Sequence, residues 1–163
     1  MKEFKKFPSL ENTYQVKPIQ IAEELGFDKE QYIVTEKVHG ANFSFWMTEE
    51  HLSVEGIGLC STVVIKCAKR SGWIEDDEKF FNYQPVLEKY RDSLERLYYH
   101  LSGTHACNEV VVFGELYGGN IQSGMCYKDD QDFIAFDMKI DGVPVDKLAM
   151  FNDLKTYEIP CVP

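Results

Sequence analysis

A chain of 163 residues with 44% hydrophobic and 13% aromatic content can close one sizeable core and is too apolar to be disordered. Its net charge of −10 argues against a protein that coats nucleic acid, because phosphate contacts need Lys and Arg. No apolar run is long enough to cross a bilayer, and the start, Met1-Lys2-Glu3-Phe4-Lys5-Lys6, lacks the apolar stretch of a secretory signal.

The first predicted element is a short helix opened by Pro18 and carrying Ile19, Ile21, Ala22 and Leu25, with Gly26 as its stop. Residues 32–36 read as a strand. A loop at Val38-His39-Gly40 leads into a strand over 41–47, where Phe43, Phe45 and Met47 alternate with Asn42, Ser44 and Trp46. Thr48-Glu49-Glu50-His51 reads as a turn, followed by strands over 52–55 and 62–67 parted by Gly56 and Gly58. Residues 85–102 place Leu87, Tyr90, Leu94, Leu97, Tyr98 and Leu101 on one helical face, and Gly103 ends that helix. Apolar strands follow over 109–115 and 133–140. Asp141-Gly142 is a hairpin turn into Val143-Pro144-Val145, and Asp146 caps a last helix carrying Leu148, Phe151 and Leu154. Strands and helices come in mixed runs without regular β-α-β alternation. An α+β fold of mostly antiparallel sheets with flanking helices is therefore expected, with no internal domain boundary.

Charge is unevenly spread. Glu75-Asp76-Asp77-Glu78 and Asp129-Asp130-Gln131-Asp132 read as solvated loops, while Lys2, Lys5, Lys6 and Lys66, Lys69, Arg70 form basic clusters, leaving room for a local basic site. The cysteines (Cys60, Cys67, Cys107, Cys126, Cys161) are odd in number and include no C-x-x-C pair. Zinc and disulfide readings are thereby weakened, and reduced thiols in a cytoplasmic setting are expected.

There is no G-x-x-x-x-G-K-[ST] loop, no G-x-G-x-x-G and no H-E-x-x-H. Instead three apolar strands end in polar residues, the first two with glycine: Glu36-Lys37-Val38-His39-Gly40-Ala41-Asn42-Phe43, Val112-Phe113-Gly114-Glu115-Leu116-Tyr117-Gly118-Gly119, and Phe133-Ile134-Ala135-Phe136-Asp137. Glycine at a strand end lets the backbone approach a ligand. Ordinary readings stand beside this one. Lys37 reads equally as a surface charge, Phe136 as core, Arg70 as a partner of Glu75 or Asp76, and Asp137 as a strand end. Glu115 is harder to explain away, since a carboxylate beside an apolar run is costly to bury unpaired.

Lys37-Val38-His39-Gly40 matches the K-x-x-G signature of nucleotidyltransferases that form lysyl-AMP or lysyl-GMP: DNA ligases, RNA ligases and capping enzymes. The longer string from Glu36 to Phe43 resembles the RNA ligase 2 family, which includes phage RNA ligases and kinetoplastid RNA-editing ligases. Further segments resemble that family in the same order: Phe4-Lys5-Lys6-Phe7-Pro8-Ser9-Leu10-Glu11-Asn12, Cys67-Ala68-Lys69-Arg70-Ser71-Gly72, Phe113-Gly114-Glu115 and Phe136-Asp137.

The resemblance implies a covalent nucleotidyltransferase domain of the ATP-grasp-like ligase kind. It implies ATP and Mg2+ as cofactors, and RNA ends or a nicked RNA duplex as partners. Lys37 would attack the α-phosphate of ATP, the resulting AMP would pass to an RNA 5′-phosphate, and a 3′-hydroxyl would then displace it. The attacking amine must be neutral, and an ordinary lysine with a pKa near 10.4 is only roughly 0.1% neutral at pH 7. Neighbouring cations, such as a magnesium ion or Arg70, favour the neutral form. By position, Phe136 would stack on adenine, Glu115 would bind ribose hydroxyls and Arg70 would meet sugar or phosphate. Asn42 would assist at ribose or phosphate, and Glu36 and Val38 would read the adenine edge through their backbones. His39 and Gly40 would lie at the phosphates, and Asp137 would help hold magnesium.

Two later elements of the family, an E-x-x-x-V strand and a K-x-K strand, are not found after Asp137, nor is its carboxy-terminal domain. Residues 1–163 are accordingly expected to form a single, incomplete adenylyltransferase domain: a fragment, one half of a split ligase served by a second chain, or a decayed gene product. The alternative function is a catalytically inactive ATP- or RNA-end-binding module.

Overall fold

The computed structural model describes residues 4–8, 15–54, 56, 58–122, 124 and 127–162. Residues 9–12 of the amino-terminal resemblance, the Met1–Glu3 start, Glu55 and Cys126 lie outside the described residues.

The alternation of Phe43, Phe45 and Met47 with Ser44 and Trp46 makes a strand with two apolar faces, and this strand becomes the centre of the molecule. It is β1 (Ala41–Val54), paired antiparallel on one side with β2 (Gly58–Lys69) and on the other with β4 (Glu109–Tyr117). The short β3 (Gly72–Trp73) extends the β2 edge; β5 (Asp132–Ile140) and β6 (Val143–Pro144) extend the β4 edge. The sheet runs β3-β2-β1-β4-β5-β6, with every strand pair antiparallel. The expected α+β class with antiparallel pairing is what the structure has.

One face of the sheet is covered by α2 (Gln84–His105), which buries Val86, Tyr90, Leu94, Leu97, Tyr98 and Leu101. They join Phe43, Phe45, Met47, Val110, Val112, Phe133 and Met138 in the main core, together with Met150 and Leu154 of α3 (Lys147–Thr156). The other face carries a smaller cluster of Trp46, Ala68, Val111 and Phe113. Phe4, Phe7, Trp73 and Phe136 pack on it. This second face carries the site.

Several expectations are corrected. Residues 32–36 form no strand: Tyr32, Ile33 and Val34 are exposed, and a β-branched run without a neighbouring ladder has nothing to pair with. Thr48-Glu49-Glu50-His51 is not a turn. β1 runs through it to Val54, paired opposite Gly58, and the chain reverses around Gly56 (φ 82°) and Gly58 (φ 98°). The polar residues mark a hairpin arm that projects beyond the core, and solvent on both faces gives the same polarity as a turn. Gly103 does not end α2, which continues to His105 and closes on Ala106 in the left-handed region (φ 50°). The last helix carries Leu148 exposed and Leu154 buried, and the Asp146 cap is as expected, accepting from the Leu148 and Ala149 amides. The amino-terminal helix α1 (Val16–Glu24) buries no residue.

Asp132 is a further correction. It was expected in a solvated acidic run, yet it is only 3% exposed. Burial would raise its pKa, but hydrogen bonds from Lys128, Lys89, Tyr90 and the Phe133 amide overcome that effect and lower the carboxyl to about 2. The Lys89 ammonium lies 2.8 Å from both carboxylate oxygens and the Tyr90 hydroxyl 2.7 Å from Oδ1. This clasp ties α2 to the start of β5. Among the described residues no helix is long and apolar enough to cross a membrane.

Candidate active site

Antiparallel pairing sets side chains of facing residues on the same side of a sheet. Asn42 of β1 faces Glu115 of β4, and Phe113 of β4 faces Asp137 of β5. Arg70 directly follows β2. The irregular segment ahead of β1 brings Glu36, Lys37 and Val38 to the same end of the sheet. Glu36, Lys37, Val38, Asn42, Arg70, Glu115, Phe136 and Asp137 line a cleft of about 640 Å³, walled also by Phe7, Pro8, Ile33, Thr35, Lys147 and Val162.

Eight of the ten residues singled out from sequence are thereby brought together: Glu36, Lys37, Val38, Asn42, Arg70, Glu115, Phe136 and Asp137. His39 and Gly40 are not part of the lining. The His39 amide donates to the Tyr127 hydroxyl (3.2 Å), and Gln122 Nε2 donates to the Gly40 carbonyl (3.0 Å). Gly40 is required by close approach of backbone to backbone. A Cβ there would stand 2.1 Å from the Leu116 carbonyl oxygen of β4. The loop after Lys37 is thus packed against β4 at Leu116 and hydrogen-bonded to the β4–β5 connection at Gln122 and Tyr127.

Gly114 has a similar reason. A Cβ there would meet the Ile134 carbonyl at 2.2 Å and the Phe133 ring at 2.4 Å. The β4–β5 register shifts between Phe113 and Gly114, the irregularity immediately before Glu115. Burial of Glu115 in the cleft raises its carboxyl to about 7. The Asn42 hydrogen bond and the charges of Lys37 and Arg70 oppose that rise. Near neutral pH this carboxyl is divided between acceptor and donor forms. Phe136 is half-buried, its ring 5.2 Å from that of Phe7 in an edge-on contact, and Phe7 also meets Phe113 at 5.0 Å.

Asp137 has a cationic partner. Its Oδ1 accepts from Lys147 Nζ (2.8 Å) and from the Met138 amide (2.9 Å), and Lys147 also donates to the Phe136 carbonyl (2.8 Å). Lys147 was missed from sequence. One signal was available: a lysine in the first turn of a helix sits at the wrong end of the helix dipole and wants an acidic neighbour. Among the described residues no three His, Cys, Asp or Glu side chains stand together as a metal site.

Chemically, the cleft offers an exposed amine on Lys37, two further cations at Arg70 and Lys147, the carboxyl groups of Glu36, Glu115 and Asp137, and the aromatic ring of Phe136. Such a set suits a ligand with a planar ring at one end and anionic groups at the other.

The family model for RNA ligase matches residues 30–163. RNA-editing ligase 2, mitochondrial, of Trypanosoma brucei brucei is 31% identical over 119 residues, covering 71% of this chain and 26% of that protein. RNA-editing ligase 1, mitochondrial, of the same organism is 26% identical over 120 residues, covering 69% of this chain and 23% of that protein. The chain spans about a quarter of the length of these relatives.

Proposed function

The chain belongs to the RNA ligase family, and on that footing we propose that it carries the adenylyltransferase chemistry of an RNA ligase, with Lys37 as the nucleophile. In this reading the neutral Lys37 amine attacks the α-phosphorus of ATP. A P–N bond forms, the bond to the pyrophosphate oxygen breaks, and the amine's surplus proton leaves to solvent. The AMP is then handed to an RNA 5′-phosphate, and a 3′-hydroxyl displaces it to join the strands. The observation that carries the reading is that Lys37, Arg70, Glu115 and Phe136, from four separate stretches of chain, line one cleft.

Each side chain has a task that follows from its chemistry. Phe136 offers a face to the adenine ring. Glu115 and Asn42, which face each other across the β1–β4 pairing, suit ribose hydroxyls, which both donate and accept. Glu36 and Val38 flank the nucleophile and offer backbone groups to the base edge. Arg70 balances phosphate charge, the principal contribution a protein makes to phosphoryl-type transfer. His39 and Gly40 act one step removed, by fixing the loop that carries Lys37. The residues present fit a protein-held magnesium ion poorly, because Asp137 is engaged by the Lys147 ammonium. A magnesium ion, when bound, would come with the nucleotide and supply charge neutralisation at its phosphates.

Incubation with ATP and magnesium followed by intact-protein mass spectrometry tests the proposal. The expected result is one added adenylate per chain. Tight ATP binding with no adduct would instead establish the inactive binding module.

A further inference from the structure

Lys147 stands in the cleft wall with its side chain 41% exposed, and two strand atoms fix its ammonium: the Phe136 carbonyl and Asp137 Oδ1, each at 2.8 Å. An ammonium carries three N–H donors in a tetrahedral array. Two are used by these acceptors, so the third is aimed away from both. A lysine serving only as an ion-pair partner of Asp137 would not need the second anchor. The double anchoring turns a flexible side chain into a fixed charge, removing beforehand much of the ordering cost that a ligand contact would otherwise carry. The chain's net charge is −10, yet this cleft gathers three cations, Lys37, Arg70 and Lys147, from three separate stretches. Asp137 and Lys147 offset each other in charge, which leaves Lys37 and Arg70 facing Glu36 and a Glu115 carboxyl that burial pushes toward its protonated form.

We propose that Lys147 is a phosphate-contacting residue of this cleft, its third N–H donating to an anionic phosphate oxygen of the bound nucleotide or of an RNA 5′-end. This inference rests on the nucleotide-binding reading given above.

The test compares wild type, Lys147→Gln and Lys147→Arg. Glutamine retains N–H donors for Phe136 and Asp137 but removes the charge; arginine restores it. Dissociation constants are measured by calorimetry for ATP, for adenosine, and for one oligoribonucleotide bearing either a 5′-phosphate or a 5′-hydroxyl. Loss of one charge-assisted hydrogen bond at a partly exposed position should weaken the phosphate-bearing ligand about tenfold in the glutamine variant. Adenosine and the 5′-hydroxyl strand should be unaffected, and arginine should recover most of the loss. Selective loss for ATP assigns the contact to the nucleotide, and selective loss for the 5′-phosphorylated strand assigns it to the RNA. Equal weakening of ATP and adenosine would overturn the proposal, since Lys147 would then act only by seating Phe136. Unchanged affinity for both phosphate-bearing ligands would overturn it too, while leaving the nucleotide reading intact. A wild-type protein that binds none of these ligands would remove both.

Discussion

Gly40→Ala is the most informative single perturbation of the scaffold behind the site. The added Cβ would lie 2.1 Å from the Leu116 carbonyl oxygen, whereas ordinary contact begins near 3.4 Å, so the two backbones must part by about 1.3 Å, the difference between those values. The β4 side cannot yield cheaply, because that strand is hydrogen-bonded to β1 and β5 on either side. The irregular segment bearing Lys37 must move instead, straining the Tyr127 and Gln122 hydrogen bonds that hold it. Overpacking of this kind costs about 1–3 kcal/mol, and the yielding of an irregular segment puts the expected loss of stability near the lower end. The catalytic effect should be larger, because a displacement of about 1 Å can cost roughly a hundredfold in rate. Urea unfolding followed by Trp46 and Trp73 fluorescence, alongside the rate of adenylate incorporation, measures both. A Gly40→Ala protein that is as stable as wild type and labels as fast would refute the role of this glycine in holding the Lys37 segment in register.

Asp132→Ala strands the Tyr90 hydroxyl and removes the common acceptor of two half-exposed lysines, so it should cost about 2–4 kcal/mol in urea unfolding; a cost under about 0.5 kcal/mol would mean the clasp is decorative. Glu115, with its carboxyl raised to about 7 against an ordinary 4.5, binds its proton more tightly in the folded state. Its contribution to stability is therefore fully present below pH 4.5 and is lost as pH rises through about 7. Thermal melts between pH 5 and 8 should fall more steeply for wild type than for Glu115→Gln, and identical slopes would contradict the burial argument.

The sequence disclosed the central strands, the long helix and most of the cleft for different reasons. The Phe43-Phe45-Met47 alternation and the Tyr90-Leu94-Leu97-Leu101 spacing report burial directly, and both faces fill the main core. Lys37 and Glu115 were legible beside glycine at the ends of apolar runs and Phe136 beside Asp137, and the register that sets Asn42 opposite Glu115 and Phe113 opposite Asp137 explains why those runs converge. What stayed hidden depended on tertiary partners. Thr48 to His51 looks polar both in a turn and in a solvated hairpin arm. Asp132 reads as solvated until Lys89 is brought in from 43 residues away. Lys147 acquires meaning only once the hairpin after β5 folds α3 back beside Asp137. The 32–36 run has strand propensity without a neighbouring ladder, so propensity alone misled.

The central claim is that Lys37 is the nucleophile. The most direct measurement is peptide mapping of the adenylate adduct after incubation with ATP and magnesium, on wild type and on Lys37→Ala, Lys37→Arg, Lys66→Ala and Lys69→Ala. Arginine keeps the charge but cannot surrender a proton to attack, its pKa exceeding about 12. One phosphoramidate, labile to acid and stable to mild base, is expected on Lys37. It should be absent from both Lys37 variants and still form in the Lys66 and Lys69 variants. Full labelling of Lys37→Ala, or an adduct mapped to another lysine, would contradict that assignment.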